Sequence, residues 1–237
     1  MHGDVFGNSI NIVASPRPRV GKTLLARLLT DFHLHEGRSV AVFDLNVGNG
    51  TLARFLPEHV AQSTIDDLKG QMALFDRLIA DDGTTKIVDL GHASFEPFFA
   101  LAHQFGFAGE TCSRGIAVVI LYLLTPDNTS VDAHRGLRSR LPEAVMAPVH
   151  NEIFGVTQHR GRYGLTGGTT VIRLPLLAPA ARKYVETPPF SFAELQSPAG
   201  NVDIDIELQH WLRRVYLEFR ELYLRILLTD LKSSIGL

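Results

Sequence analysis

Ile10-Asn11-Ile12-Val13-Ala14-Ser15-Pro16-Arg17-Pro18-Arg19-Val20-Gly21-Lys22-Thr23-Leu24 is the stretch on which the reading of this chain turns. An apolar strand pattern enters a tight loop, the loop closes on Gly-Lys-Thr, and an apolar helix pattern runs from Lys22 to about Leu34. Strand, loop and helix joined by that tripeptide is where a P-loop sits. Backbone N–H groups and a helix N-terminus wrap phosphates, a lysine reaches the terminal ones, and a hydroxyl holds Mg²⁺. Val20, Gly21, Lys22, Thr23 and Leu24 are therefore the candidate phosphate-binding residues, with Thr23 also a metal candidate. The loop is degenerate. The usual glycine five residues before Gly21 is Pro16, and Pro18 and Arg19 take two further glycine places. A proline offers no N–H, so the cradle loses possible donors at 16 and 18.

The rest of the chain supports an α/β architecture. Strand and helix patterns alternate along it: strands are expected near 9–14, 39–44, 85–90, 116–124, 144–149 and 169–174, and helices near 22–35, 64–80, 94–105, 128–140 and 203–230. Such alternation predicts a mostly parallel central sheet with helices on both faces. One domain over 1–237 is expected: an α/β core over 1–185, a proline-rich connector over 186–201, and a long C-terminal helix over 202–237. Leu208, Trp211, Leu212, Val215, Phe219, Leu222, Tyr223, Ile226 and Leu227 line one face of that helix. This face either closes one side of the sheet or meets another subunit.

Bulk properties exclude some functions. With 23 Lys and Arg against 25 Asp and Glu, the net charge of −2 gives no general attraction to nucleic acid or anionic membrane. The one cysteine, Cys112, rules out an internal disulfide, fits a reducing cytoplasm, and reads as a small buried hydrophobe. The first eight residues carry no signal-peptide pattern, and the longest apolar stretch, Ile116–Leu124, is too short to span a bilayer. The basic cluster Arg135, Arg138 and Arg140 reads as a solvated helix face, and the scattered histidines lack metal-site spacing.

Two more strand ends fall where a nucleotide site needs them. Val40-Ala41-Val42-Phe43-Asp44-Leu45-Asn46-Val47-Gly48-Asn49 and Lys86-Ile87-Val88-Asp89-Leu90-Gly91 each deliver an Asp to the carboxyl edge of the sheet. Asp44 and Asp89 are candidates for the Mg²⁺ shell, and the Asp89-x-Gly91 step suits a loop that senses the terminal phosphate.

These motifs, in this order, resemble the ParA/MinD ATPases. Arg-Pro-Arg-Val-Gly-Lys-Thr lies where that family has Lys-Gly-Gly-Val-Gly-Lys-Thr, the Asp44–Asn49 segment looks like its Asp-x-Asp-Pro-Gln-Gly-Asn, and Asp89 falls at its Walker B aspartate. The resemblance spans roughly residues 9–185 and implies a deviant-Walker fold binding ATP and Mg²⁺. It further implies a homodimer that sandwiches the nucleotide and a protein partner or large cargo, with DNA or membrane as conceivable platforms. Arg17 stands at the signature lysine that reaches the partner's nucleotide. Asn46 stands at the aspartate that orients the attacking water; an amide keeps a hydrogen bond but is no base. Lys22, Arg17 and Asn46 are thus the candidate catalytic residues, and slow or impaired hydrolysis is implied. Asn151, ending a strand, resembles the asparagine that contacts adenine, with an ordinary turn residue as the competing reading. A scaffold that keeps the fold without nucleotide is the alternative function.

Overall fold

The computed structural model describes residues 8–46, 51–155, 161–166, 169–192 and 202–235. In chain order the elements are β1 (Ser9–Ala14), α1 (Lys22–His35), β2 (Val40–Asp44), α2 (Thr51–Phe55), β3 (Val60–Gln62), α3 (Leu68–Leu78), β4 (Thr85–Asp89), α4 (Phe95–Gln104) and α5 (Phe107–Ser113). They continue with β5 (Ala117–Leu123), α6 (Asn128–Arg140), β6 (Val145–Asn151), a 3₁₀ turn (Glu152–Phe154), β7 (Ile172–Leu174), α7 (Pro179–Val185) and α8 (Val202–Ile235). The strands form one seven-stranded sheet in the order β3-β2-β4-β1-β5-β6-β7, and every pairing is parallel.

Alternation along the strands builds two cores. On β1, Ile10, Ile12 and Ala14 face one cluster, which also takes in Phe75 of α3, Phe98 of α4, Phe107 of α5 and Leu137 of α6. Val13 faces the other cluster, which α1, α2, α7 and α8 complete through Leu25, Leu52, Ala181 and Phe219. A parallel sheet buried on both faces needs apolar residues on both, and the continuous run Val118–Leu123 of β5 supplies them.

The long α8 packs on the α1 side. Leu208, Trp211, Val215, Phe219, Leu222, Tyr223 and Ile226 are all buried there, so the apolar face closes the sheet. A buried polar chain fastens it. The Tyr223 hydroxyl donates to Asn11 Oδ1 at 2.7 Å and meets His33 Nε2 at 2.8 Å, while Arg38 approaches His33 Nδ1 at 3.0 Å. The tyrosine has one proton to give, so His33 carries its proton on Nε2 and accepts from Arg38. Burial first, and the Arg38 charge second, push this imidazole down to about 3.

Elements that periodicity does not predict are the short ones. β3 has three residues, α2 five, and α5 and α7 seven each. The strand expected over 169–174 shrinks to Ile172–Leu174. Gly106, with φ 62°, ends the α4 pattern, and Pro179 opens α7 at a position where its missing N–H costs nothing. Cys112 is exposed at the end of α5, which corrects the expectation of a buried thiol. The expected segment over 47–50 and the connector beyond 192 lie outside the described residues. No described helix is long and apolar enough to cross a membrane.

Candidate functional site

A parallel sheet places every strand's carboxyl end on one edge. At that edge the loop after β1 enters α1 on one face of the sheet, while α4 and α5 lead from β4 to β5 across the other. The loop therefore lies in the crevice where strand order reverses, the usual place for a ligand in such sheets.

The loop is held by unusual backbone. Arg19 has φ 59° and Gly21 φ 99°, both left-handed. At Gly21 the reason for glycine is also steric: a Cβ there would stand 2.7 Å from Asn151 Nδ2. That amide donates to Val20 O at 3.1 Å, and its oxygen accepts from Ile153 N at 3.2 Å. Asn151 thus clamps the loop from the end of β6 and caps the 3₁₀ turn behind it. Gly21 caps α1 without any side-chain hydrogen bond, and no acidic residue lies in the first turn. The start of α1 thus has the character of an anion seat.

Lys22 is almost fully buried, and its Nζ donates to Arg17 O at 2.6 Å. Burial lowers the ammonium to about 8, against the pull of Asp89. The Arg17 guanidinium turns to Asp127, with Nε at 2.9 Å and Nη2 at 2.5 Å from one carboxylate oxygen. Asp127 caps α6 through Ser130 N and also accepts from Thr125 Oγ1. Arg17's hydrogen bond, with these others, holds that carboxyl well below the usual range. In this conformation Arg17 is engaged within its own chain.

The cation candidates converge. Asp44 and Asp89 are register partners on adjacent strands. Thr23 Oγ1 donates to Asp89 Oδ2 at 2.7 Å. Asn46 Nδ2 lies 2.7 Å from Asp44 Oδ1 and 3.0 Å from Asp89 Oδ2. The other Asp44 oxygen accepts from Leu52 N at 2.9 Å, capping α2. Asp89 Oδ1 is buried and has no hydrogen-bond partner among the described residues. Burial lifts the Asp89 carboxyl to about 7; the Thr23 hydrogen bond opposes the rise and the Asp44 charge adds to it. Two carboxylates and a hydroxyl around an unsatisfied buried oxygen form a donor set that fits Mg²⁺. Gly91 permits this convergence, since a Cβ there would stand 2.9 Å from Leu45 O.

A cavity of about 670 Å³ opens from these residues. Gly21, Lys22, Thr23, Leu24, Asn46 and Asn151 line one end. Val20, Arg17, Asp44 and Asp89 are not among its lining residues. The far end is lined by residues that motif reading misses, among them Arg27, Phe55, Leu174, Leu177 and Trp211. Arg27 is buried, donates to Val185 O at 3.0 Å and Phe190 O at 3.1 Å, and lies 3.8 Å from the Phe55 ring centroid. One turn on, Asp31 accepts from Phe192 N at 2.9 Å. Burial lowers Arg27 to about 10 and raises Asp31 to about 6, each opposed by the other's charge. Two ionisable residues on the apolar side of α1 are the only sequence signal for this clamp. Asp127 carries a clearer one, as an acidic cap before a helix. Of the basic cluster on α6, Arg140 pairs with Glu96 at 3.3 Å and Arg135 with Asp132 at 3.5 Å.

A parallel sheet with Gly-Lys-Thr opening the helix after its central strand is a P-loop NTPase-like fold. No protein-family model and no curated protein matches the chain. Among solved structures it is similar to the MinD cell division protein of Aquifex aeolicus, with 12% identity, 87% of this chain and 96% of that chain covered, and a TM-score of 0.48. It is similar to the MinC:MinD cell division protein complex of the same organism, with 12% identity, coverage of 87% and 95%, and a TM-score of 0.47. The signal recognition particle 54 kDa protein of Aeropyrum pernix K1, in complex with GDP, matches at 15% identity, 88% of this chain, 49% of that chain and a TM-score of 0.48.

Proposed function

We propose that this chain is a ParA/MinD-like nucleotide switch that binds ATP with Mg²⁺, pairs with a second copy across the nucleotide, and hydrolyses slowly. In this reading it positions or regulates a larger cargo or machine through a protein partner, in the cytoplasm. One observation carries the reading: Gly21-Lys22-Thr23 opens α1 beside two register-paired carboxylates, and the Thr23 hydroxyl is bound to one of them at 2.7 Å. The amides from Val20 to Leu24 hold the phosphates, and Lys22, leaving the Arg17 carbonyl, supplies charge to the terminal ones. Mg²⁺, when bound, would neutralise phosphate charge from the Thr23, Asp44 and Asp89 side. Phosphoryl transfer depends on placement and charge. Asn46 can hold a water but takes no proton from it, which accounts for slow turnover. Arg17, once parted from Asp127, has the bidentate fork to meet a partner's phosphate. Asn151 borders the cavity beside the loop, where it can meet the base.

Calorimetric titration with ATP–Mg²⁺ tests this. Wild type should bind, and Lys22→Ala should lose about a hundredfold in affinity, as removal of a charged hydrogen-bond donor from a buried phosphate site would give. Absence of binding by the wild type removes the reading.

The second reading is a scaffold that uses the fold without nucleotide. It is favoured by the Lys22 ammonium being bound to the loop's own backbone at 2.6 Å, and by the prolines at 16 and 18. An unchanged melting temperature in millimolar ATP–Mg²⁺ selects it.

A further inference from the structure

A hydrogen-bond donor occupies the point where the carboxylates of the site converge. Asn46 Nδ2 reaches Asp44 Oδ1 at 2.7 Å and Asp89 Oδ2 at 3.0 Å, and Thr23 donates to that same Asp89 oxygen. Asp44 Oδ1 and Asp89 Oδ2 both act as acceptors here, the latter already from the Thr23 hydroxyl, so the carboxamide turns its NH₂ toward them. The Asn46 backbone N–H is also bound to Asp44 Oδ1 at 3.0 Å, so one carboxylate oxygen takes both the main-chain and the side-chain donor of residue 46. One neutral nitrogen therefore bridges two carboxylates, the service a divalent cation gives. The bridge is incomplete, since Asp89 Oδ1 stays buried and without a partner among the described residues.

We propose that the Asn46 carboxamide is an internal surrogate for the divalent cation, holding Asp44 and Asp89 together in its absence and yielding its place when the ion binds. This rests on the reading of Thr23, Asp44 and Asp89 as the cation side of the site. The amide supplies donors but no charge, so a cation displaces it, at the expense of two hydrogen bonds to carboxylates. Residue 46 then sets how much divalent ion the site requires. A side chain without a donor at 46 leaves both carboxylates open to the ion.

The test uses the full chain and Mn²⁺ alone, without nucleotide, followed by the loss of the free ion's paramagnetic resonance signal. Asn46→Ala is expected to bind Mn²⁺ at least tenfold more tightly than wild type, with Mg²⁺ competing. A second measurement needs no altered protein: in wild type labelled with ¹⁵N at asparagine, the Asn46 side-chain amide signal should move as Mg²⁺ saturates the site. Equal or weaker Mn²⁺ binding by Asn46→Ala overturns the proposal, as does an Asn46 amide that stays unmoved at saturation. ATP titration is run separately. ATP binding with no Mn²⁺ difference between the proteins defeats the surrogate alone; a Mn²⁺ difference with no ATP binding defeats the nucleotide reading and leaves the surrogate standing.

Discussion

The two ends of the cavity satisfy their polar groups in opposite ways. At the loop end, Lys22, Thr23, Asn46, Asp44 and Asp89 bond to one another or to the loop itself, so a ligand must replace bonds already made. At the far end, Arg27 donates to Val185 O and Phe190 O, Asp31 accepts from Phe192 N and the Ser191 hydroxyl, and apolar side chains line the space. The first end is chemistry held in a self-bonded state. The second is architecture, with charge buried to fix a wall. Similar side chains thus do different work according to whether they bond to one another around an unsatisfied oxygen or tie down a distant segment of the chain.

The largest expected effect breaks the far end. Arg27→Met leaves two buried carbonyls without donors and Asp31 without its neighbouring cation, which should cost about 3–5 kcal/mol in denaturant unfolding. A loss under about 1 kcal/mol, the scale of an exposed ion pair, would show that Arg27 does not fix this wall.

Next in size is a pH effect at the loop end. The Asp89 carboxyl is raised by burial to about 7 in the fold. A raised acid adds stability that is complete below its unfolded value near 4 and is lost as pH rises through 7. Relative to Asp89→Asn, the wild type should therefore lose roughly 2–4 kcal/mol between pH 4 and pH 8. Asp31, raised to about 6, adds the same sign to both proteins and drops out of the difference. A flat difference curve would show that Asp89 titrates as an exposed acid does.

Gly21→Ala sharpens the comparison by loading the loop alone. The added Cβ would stand 2.7 Å from the Asn151 amide, at a φ of 99°. It should cost about 1–3 kcal/mol in thermal unfolding, with ATP affinity falling along with it. The smallest effect is at the far wall. Trp211→Phe removes the indole N–H bond to Pro175 O at 2.8 Å and should cost about 1 kcal/mol, without changing the pH profile.

How legible each part was follows from the range of the interactions involved. The loop, both aspartates and the apolar face of α8 are local patterns in the chain. A strand end puts its last residue at the sheet edge regardless of what lies across from it, so Asp44 and Asp89 could be placed before their pairing was seen. The Arg17–Asp127 pair joins residues 110 positions apart, and the Arg27–Phe190 bond residues 163 apart. No periodicity encodes such distances. The short elements escaped for a different reason: β3 and α2 contain less than two helical turns or three strand repeats, too little for a pattern to emerge.

By itself the sequence determined that this protein builds a parallel α/β sheet with Gly-Lys-Thr at the carboxyl edge of its strands, because strand and helix periods and a glycine-requiring turn are written in neighbouring residues. Tertiary structure alone decided what those groups touch: that Arg17 lies on Asp127, that the Asn46 amide bridges two carboxylates, and that Asn151 clamps the loop. The reason is physical. Burial and hydrogen bonding depend on which segments the fold stacks together, and the same side chain is a ligand, a clamp or a cap according to the partner brought within 3 Å or so of it.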